Sequence, residues 1–308
     1  VTGKGEVPVT VNGSAAEVSG REFSSLPVSL VEGSNTVTLT ATDSTGAVET
    51  TILTLTRDTS PPSIIGLIPQ SGTWTNNPEV SVSGSIVETN GFFVLVAGVP
   101  ADIDGDTFTR TVLCEEGGNT IMVEAIDKAG NTSGIIDLVV NLDTVPPADF
   151  TVTPDPVEWT SNTQPVITFG TTDVGSGIDG YELSIDGGPF SPATSPYTLP
   201  PQADGIHAIV VTARDAAGNT TTSACEVKID TVAPNDPQLF RLITKNDRLV
   251  LEWDKPDDDI VEYHLSRLPN WENAVETIVV TSQTYEDTAV EEFVAYLYHI
   301  VAIDRAGN

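Results

Sequence analysis

Residues 125–147 read AIDKAGNTSGIIDLVVNLDTVPP, and this stretch decides the fold. It opens on the turn D-x-A-G-N. There Asp127 offers oxygens to backbone N–H groups, Gly130 takes a positive φ, and Asn131 tolerates the left-handed region. The run V-V-N-L at 139–142 then reads as a strand. The stretch closes on D-T-V-P-P, whose prolines remove ladder donors and stiffen the chain into an extended linker.

Working outward, both phrases recur. The turn appears as ATDSTGA at 41–47, ARDAAGN at 213–219 and AIDRAGN at 302–308, which places Asp43, Asp127, Asp215 and Asp304 at intervals of 84, 88 and 89 residues. The linker appears as RDTSPP at 57–62 and IDTVAP at 229–234, so Asp58, Asp143 and Asp230 are 85 and 87 residues apart. A repeat this long exceeds the periods of helical solenoids and propeller blades and is a complete small domain. Between the markers lie alternating runs: TVTLTA at 36–41, and Ile209, Val211 and Ala213 on one face. Short strands at intervals of about 8–12 residues predict an immunoglobulin-like β-sandwich. The segment VEEFVAYLYHIVA at 290–302 has a helix-compatible composition. It is expected to be mainly strand, because Tyr296, Tyr298, Ile300 and Ala302 alternate into the fourth turn.

The expected fold class is therefore all-β, a tandem array of immunoglobulin-like β-sandwiches joined by short proline-containing linkers. The units run over 1–59, 60–144, 145–231 and 232–308. Unit one reads as lacking its opening strands. Unit four, whose last turn ends at Asn308, reads as lacking its last strand, which either further chain or a neighbouring copy in a fibre would supply.

Charge and composition narrow the function. The 308 residues hold 44 acidic and 13 basic side chains, a net charge of −31. A phosphate binder needs a basic footprint, so nucleic acid is excluded as a partner. No apolar run approaches the roughly 18 residues that span a bilayer, so the chain is not expected to be membrane-embedded. With 39 % hydrophobic residues the chain can bury cores. Its two cysteines cannot make a disulfide framework. There is no G-x-S-x-G, H-E-x-x-H, C-x-x-C or phosphate loop, and no enzymatic activity is expected.

Several polar and aromatic residues are weighed as sites. His264 and His299 fall on neighbouring predicted strands, but two ligands make no metal site alone. Cys114 and Cys225 occupy the places of Leu30 and Leu53 in the first unit and are expected inside separate cores. Asp102, Asp104 and Asp106 suggest a calcium loop without the closing Glu, and a solvated turn is the stronger reading. Trp74 and Trp159 open matching phrases, WTNNPEV and WTSNTQPV. Sugar stacking is open to them, but core packing is favoured. Trp271 lies among polar neighbours and reads as exposed.

Some phrases resemble known families. VNGSAAEVSGREF at 11–23 aligns with VAGVPADIDGDTF at 96–108, and VEGSNTVTLTATD at 31–43 with EEGGNTIMVEAID at 115–127. These resemble the bacterial immunoglobulin-like (Big-type) modules of secreted glucan hydrolases and surface adhesins. SGIDGYELSIDGGPF at 176–190 resembles another such module. Unit four resembles a fibronectin type III domain, with Trp253 in LVLEW at 249–253, Tyr263-His264-Leu265 as strand C, and Tyr296 as the tyrosine corner. The resemblance implies an extracellular or bacterial cell-surface location and a structural or adhesive rod or fibre segment of a larger protein. Its alternative is a spacer or carbohydrate-binding accessory region of a secreted polysaccharide hydrolase. Partners would be other domains of the chain, neighbouring copies, or a surface or polysaccharide ligand. Giant adhesins with similar phrases carry calcium at domain junctions. That resemblance makes Asp58, Asp143 and Asp230 candidate calcium ligands, with Asp43, Asp127 and Asp215 as their nearest partners in sequence. The alternative, that each Asp caps its own turn or strand end, stays open.

Overall fold

The computed structural model describes residues 7–238, 240–245, 248–268 and 277–308. Trp271 lies outside them. The protein is all-β, built from tandem immunoglobulin-like and fibronectin type III-like sheets, and divides into two compact units, Val1–Asp143 and Thr144–Asn308.

The first unit begins with β1 (Val9–Val11), β2 (Ser14–Ala15), β3 (Glu17–Ser19), β4 (Glu22–Ser24), β5 (Gly33–Thr42) and β6 (Val48–Arg57). One sheet has the order β2-β1-β5-β6, and β3 pairs with β4 in a hairpin. It continues with β7 (Ser63–Ile68), β8 (Thr73–Thr75), β9 (Glu79–Val87), β10 (Phe92–Val96), β11 (Val99–Pro100), β12 (Asp102–Asp104), β13 (Thr107–Leu113), β14 (Gly117–Asp127) and β15 (Ile136–Leu142). These make two sheets, β11-β10-β14-β15-β8 and β12-β13-β9-β7. Period-two alternation turns Val94, Val96, Ile121, Val123, Leu138 and Val140 inward against Val80, Val82 and Phe108. Gly84 lies opposite Phe108 in the ladder, and a Cβ there would sit 2.8 Å from the phenyl ring, so only glycine admits the ring.

The two halves of this unit differ in what covers them. Register equates Leu53 with Leu138, since Gly33 pairs with Arg57 as Gly117 pairs with Leu142. Leu138 is 1 % exposed, whereas Leu53 is 43 % exposed, and all ten residues of β6 are exposed. The physical difference is the sheet β12-β13-β9-β7, whose counterpart in residues 7–57 is the β3–β4 hairpin alone among the described residues.

The second unit has β16 (Thr153–Asp155), β17 (Val166–Thr168), β18 (Ile178–Ile185), β19 (Ser191–Ala193), β20 (Tyr197–Thr198), β21 (Gly205–Asp215) and β22 (Thr220–Ile229). Sheets β16-β17-β20 and β19-β18-β21-β22 enclose a core around Ile167, Leu183, Leu199, Ile209, Val211 and Ile229. It ends with β23 (Phe240–Lys245), β24 (Arg248–Trp253), β25 (Ile260–Leu268), β26 (Ile278–Val280), β27 (Thr284–Asp287) and β28 (Leu297–Asp304). Here the sheets are β23-β24-β27 and β26-β25-β28, packed around Leu251, Trp253, Tyr263 and Leu265. The predicted strand within 290–302 starts only at Leu297. Before it, the chain loops so that the Tyr296 hydroxyl accepts the Glu291 amide at 3.0 Å, as a tyrosine corner does. No helix among the described residues is long and apolar enough to cross a membrane.

Candidate metal-binding junctions

Each D-x-A-G-N turn is closed by its own side chains. Asp127 accepts the Asn131 amide on Oδ1 at 2.8 Å and the Asn131 side-chain amide on Oδ2 at 2.7 Å. Gly130 takes φ +94°, which a Cβ would oppose. Asp215 and Asn219 repeat both bonds, and so do Asp304 and Asn308. In the first copy Ala47 stands where the others have Asn. Asp43 caps that turn through the amides of Thr45 and Ala47 and the Thr45 hydroxyl. The Asp43 carboxyl is held below its usual value first by that hydroxyl and then by the two amides. At Asp127 burial pushes the carboxyl upward, but the Asn131 side chain and the amides of Asn131, Gly130 and Ala129 outweigh it and hold the group low.

The asparagine also reaches back to the preceding linker. Asn131 Nδ2 donates to the Asp58 carbonyl at 3.1 Å, and Asn308 Nδ2 donates to the Asp230 carbonyl at 2.7 Å. Asn219 Nδ2 donates to the Val145 carbonyl at 3.4 Å. The turn therefore sits against the linker that opens its own repeat, and this brings the two aspartate families together.

Each unit gathers carboxylates at one of its linkers. Oxygens of Asp58, Glu88 and Asp127 lie within 4.8 Å of one another, and so do those of Asp230, Asp259 and Asp304. Linker Asp58 thus meets the turn aspartate 69 residues ahead of it rather than Asp43, and Asp230 meets Asp304 rather than Asp215. Asp43 belongs to neither group. Asp143, buried at the close of the first unit, donates its amide to the Thr75 carbonyl, and Asp215, also buried, caps its own turn in the second unit. The sequence reading missed Glu88, Asp259 and Asp304. Glu88 and Asp259 sit in loops after β9 and β24 and carry no repeated phrase. Asp304 was visible as the fourth copy of the turn.

The donors are all oxygen, the set that suits calcium or magnesium rather than zinc, which favours nitrogen and sulfur. Part of each carboxylate is already used. Asp58 accepts the Asn90 side chain at 2.7 Å and the Ser60 amide at 3.0 Å, and Glu88 accepts the amides of Thr89 and Asn90. Ionised carboxylates have about four acceptor positions, so capping and ion binding are compatible uses of one side chain.

The other candidates fall elsewhere. Asp102 and Asp104 lie exposed on β12 and Asp106 in the turn after it, and none joins a metal-competent group among the described residues. His264 faces Val301 across the ladder, with His299 opposite Ser266, and His264 bonds Glu262 at 2.8 Å instead. Cys114 is buried in a core, and Cys225 packs at the edge of another, where burial raises its thiol to about 11. Trp74 and Trp159 are half-buried and belong to none of the core clusters, which corrects the core reading. Trp159 instead carries the Arg305 guanidinium 3.7 Å above its ring, a cation–π contact beside Asp304.

Comparison with known proteins gives partial matches. The family described as Glucodextranase, domain B matches residues 62–142. Exoglucanase B of Cellulomonas fimi is 28 % identical over 220 residues, 66 % of this chain and 20 % of that protein. Bacillopeptidase F of Bacillus subtilis is 32 % identical over 103 residues, 33 % of this chain and 7 % of that protein. The fibronectin(III)-like modules of Clostridium thermocellum CbhA align with 55 % of this chain and 94 % of theirs, at 15 % identity and a TM-score of 0.36. The chain thus spans a fifth or less of the length of these two curated relatives.

Proposed function

We propose that this chain is a non-catalytic accessory region of a larger secreted carbohydrate-active protein. In this reading it comprises four β-sandwich modules, 1–59, 60–144, 145–231 and 232–308, of bacterial immunoglobulin-like and fibronectin type III type, which hold other parts of that protein apart. The observation that carries the spacer role is the wiring of the linkers. A turn asparagine of the following repeat bonds the linker carbonyl at Asp58 and again at Asp230. Support for the carbohydrate context comes from the match to Glucodextranase, domain B and the similarity to an exoglucanase. Parts of an exoglucanase and of a bacillopeptidase both match this chain, as expected of modules that neither reaction needs. The net charge of −31 would keep such modules apart from one another in solution.

Calcium at the linkers belongs to the same proposal. Asp58, Glu88 and Asp127 would hold one ion and Asp230, Asp259 and Asp304 another, with Asp143 and Asp215 included by their equivalent places in the repeats. Three carboxylates held together repel one another, and a divalent ion offsets that repulsion.

The test combines an activity assay with a binding assay on the 308-residue chain. Expected are no turnover on glucans and either retention on insoluble glucan, for a carbohydrate-binding accessory, or none, for a pure spacer. Turnover abolished by one point substitution would overturn the reading. An adhesive surface rod is the competing role, and specific binding of the chain to intact cells but not to glucan would favour it.

A further inference from the structure

The strand that leads into each turn begins alike in three repeats. β5 opens G-S-N at 33–35, β14 opens G-G-N at 117–119, and β21 opens G-I-H at 205–207. The third residue fixes the loop before the strand. Asn35 Nδ2 donates to the carbonyl four residues back, Val31, at 2.7 Å, while its Oδ1 accepts the Val31 amide. Asn119 makes the same two bonds with Glu115. An amide side chain suits this place because it donates and accepts at once and carries no charge at any pH.

His207 stands in that position in the third repeat. Its Nε2 lies 2.8 Å from the carbonyl of Ala203, again four residues back, and its Nδ1 lies 2.7 Å from Asp186 Oδ2. Both ring nitrogens therefore face acceptors, and only the doubly protonated ring donates to both. Asp186 Oδ1 is held by the Ala208 amide, which fixes the carboxylate in place.

The loop so fixed holds the linker in turn. Asp204, next to Ala203, accepts both the amide and the hydroxyl of Thr231, at 2.9 and 2.8 Å. In the first repeat Glu32 holds Thr59 in the same way.

We propose that His207 is a protonation-dependent clasp that couples pH to the hold of loop 199–204 on the linker at Thr231, where the sister repeats use a pH-insensitive asparagine. Charged groups around the ring are few. Asp186 faces it from the β18–β19 turn, and Asp204 in the loop is turned to Thr231. On β22 the partner opposite His207 is Val227, while Lys228, one residue on, points to Glu158 at 4.0 Å.

The signs follow from those neighbours. The Asp186 hydrogen bond, then the Ala203 carbonyl, raise the His207 ring above its ordinary 6.5 against the opposing effect of burial. The contribution of the clasp is full between 3.8 and 6.5 and is lost as pH rises through the raised value. The His207 bond, followed by the Ala208 amide, lowers Asp186 below 3.8, so the clasp also opens as pH falls through that lowered value.

The full chain holds three histidines, so ring-labelled histidine NMR resolves His207 directly. The expected result is a His207 titration above 6.5 that moves down in Asp186→Asn, where Oδ1 still accepts the Ala208 amide. Loss of Thr231 amide-exchange protection should follow the same titration after correction for base catalysis. In His207→Asn, the residue that the other repeats already use, that pH dependence should vanish with the fold retained. The proposal is overturned if His207 titrates at or below 6.5. It is equally overturned if Asp186→Asn leaves the titration in place, or if Thr231 exchange has one pH profile in the wild-type chain and in His207→Asn.

Discussion

Asp287 shows how one side chain decides a local balance. Its buried carboxylate accepts the Arg267 guanidinium, the Tyr298 hydroxyl at 2.7 Å and the Ala289 amide at 2.9 Å. Burial pushes its titration up, but Tyr298, the Ala289 amide and Arg267 together hold it below the ordinary 3.8. A lowered carboxylate stabilises the fold above its ordinary value, and that share is lost as pH falls through the lowered one. Stability of residues 240–304 is therefore expected to drop on acidification below 3.8, and urea midpoints across that range check it. Asp287→Ala takes the counter-charge from the mostly buried Arg267 guanidinium, and should cost about 3–5 kcal/mol in the same measurement. Asn131 acts at the same scale with less at stake. Asn131→Ala removes the side-chain bonds to Asp127 and to the Asp58 carbonyl, about 1 kcal/mol each, and should speed amide exchange in residues 58–60.

At the scale of the element, identical patterns have unequal energies because their cover differs. Leu53 and Leu138 are equivalent in register, yet only Leu138 has a second sheet across it. Leu138→Ala should cost about 2–5 kcal/mol, as a core truncation does, whereas Leu53→Ala should cost no more than about 1 kcal/mol. Equal losses in denaturant unfolding would show that the sheet β2-β1-β5-β6 is covered in solution after all. Gly84 makes the converse point. Gly84→Val would drive a methyl-bearing carbon into Phe108, an overpacking expected to cost about 1–3 kcal/mol, while Gly13, with open space around its Cβ direction, reports only the penalty of its positive φ.

At the scale of the whole molecule, the repeats place their acidic groups at linkers. Calcium binding only to the folded chain would raise stability by about 2.7 kcal/mol at a hundredfold excess over the dissociation constant. The melting temperature is expected to rise with calcium and to fall again with chelator. Glu88→Gln with Asp259→Asn should reduce the response without touching the turn caps. A melting temperature indifferent to calcium in the wild-type chain would count against the proposed sites.

What the sequence determined by itself was everything local or periodic. The D-x-A-G-N turns, the alternating strands, the proline linkers and the repeat length follow from short-range backbone chemistry, which each segment carries with it. Trp253 on its strand and the two unbridged cysteines were legible for the same reason. Only the tertiary structure decided which carboxylates meet. Asp58 finds Asp127 and Glu88, not Asp43, because the turn of the following repeat folds back on the linker, a contact set by packing across many residues. The same holds for Trp159, drawn from the expected core to the Arg305 guanidinium, and for His207, whose meaning came from the carbonyl and carboxylate that the fold places at its two nitrogens. Long-range neighbours depend on register and docking, and no short window of residues contains that information.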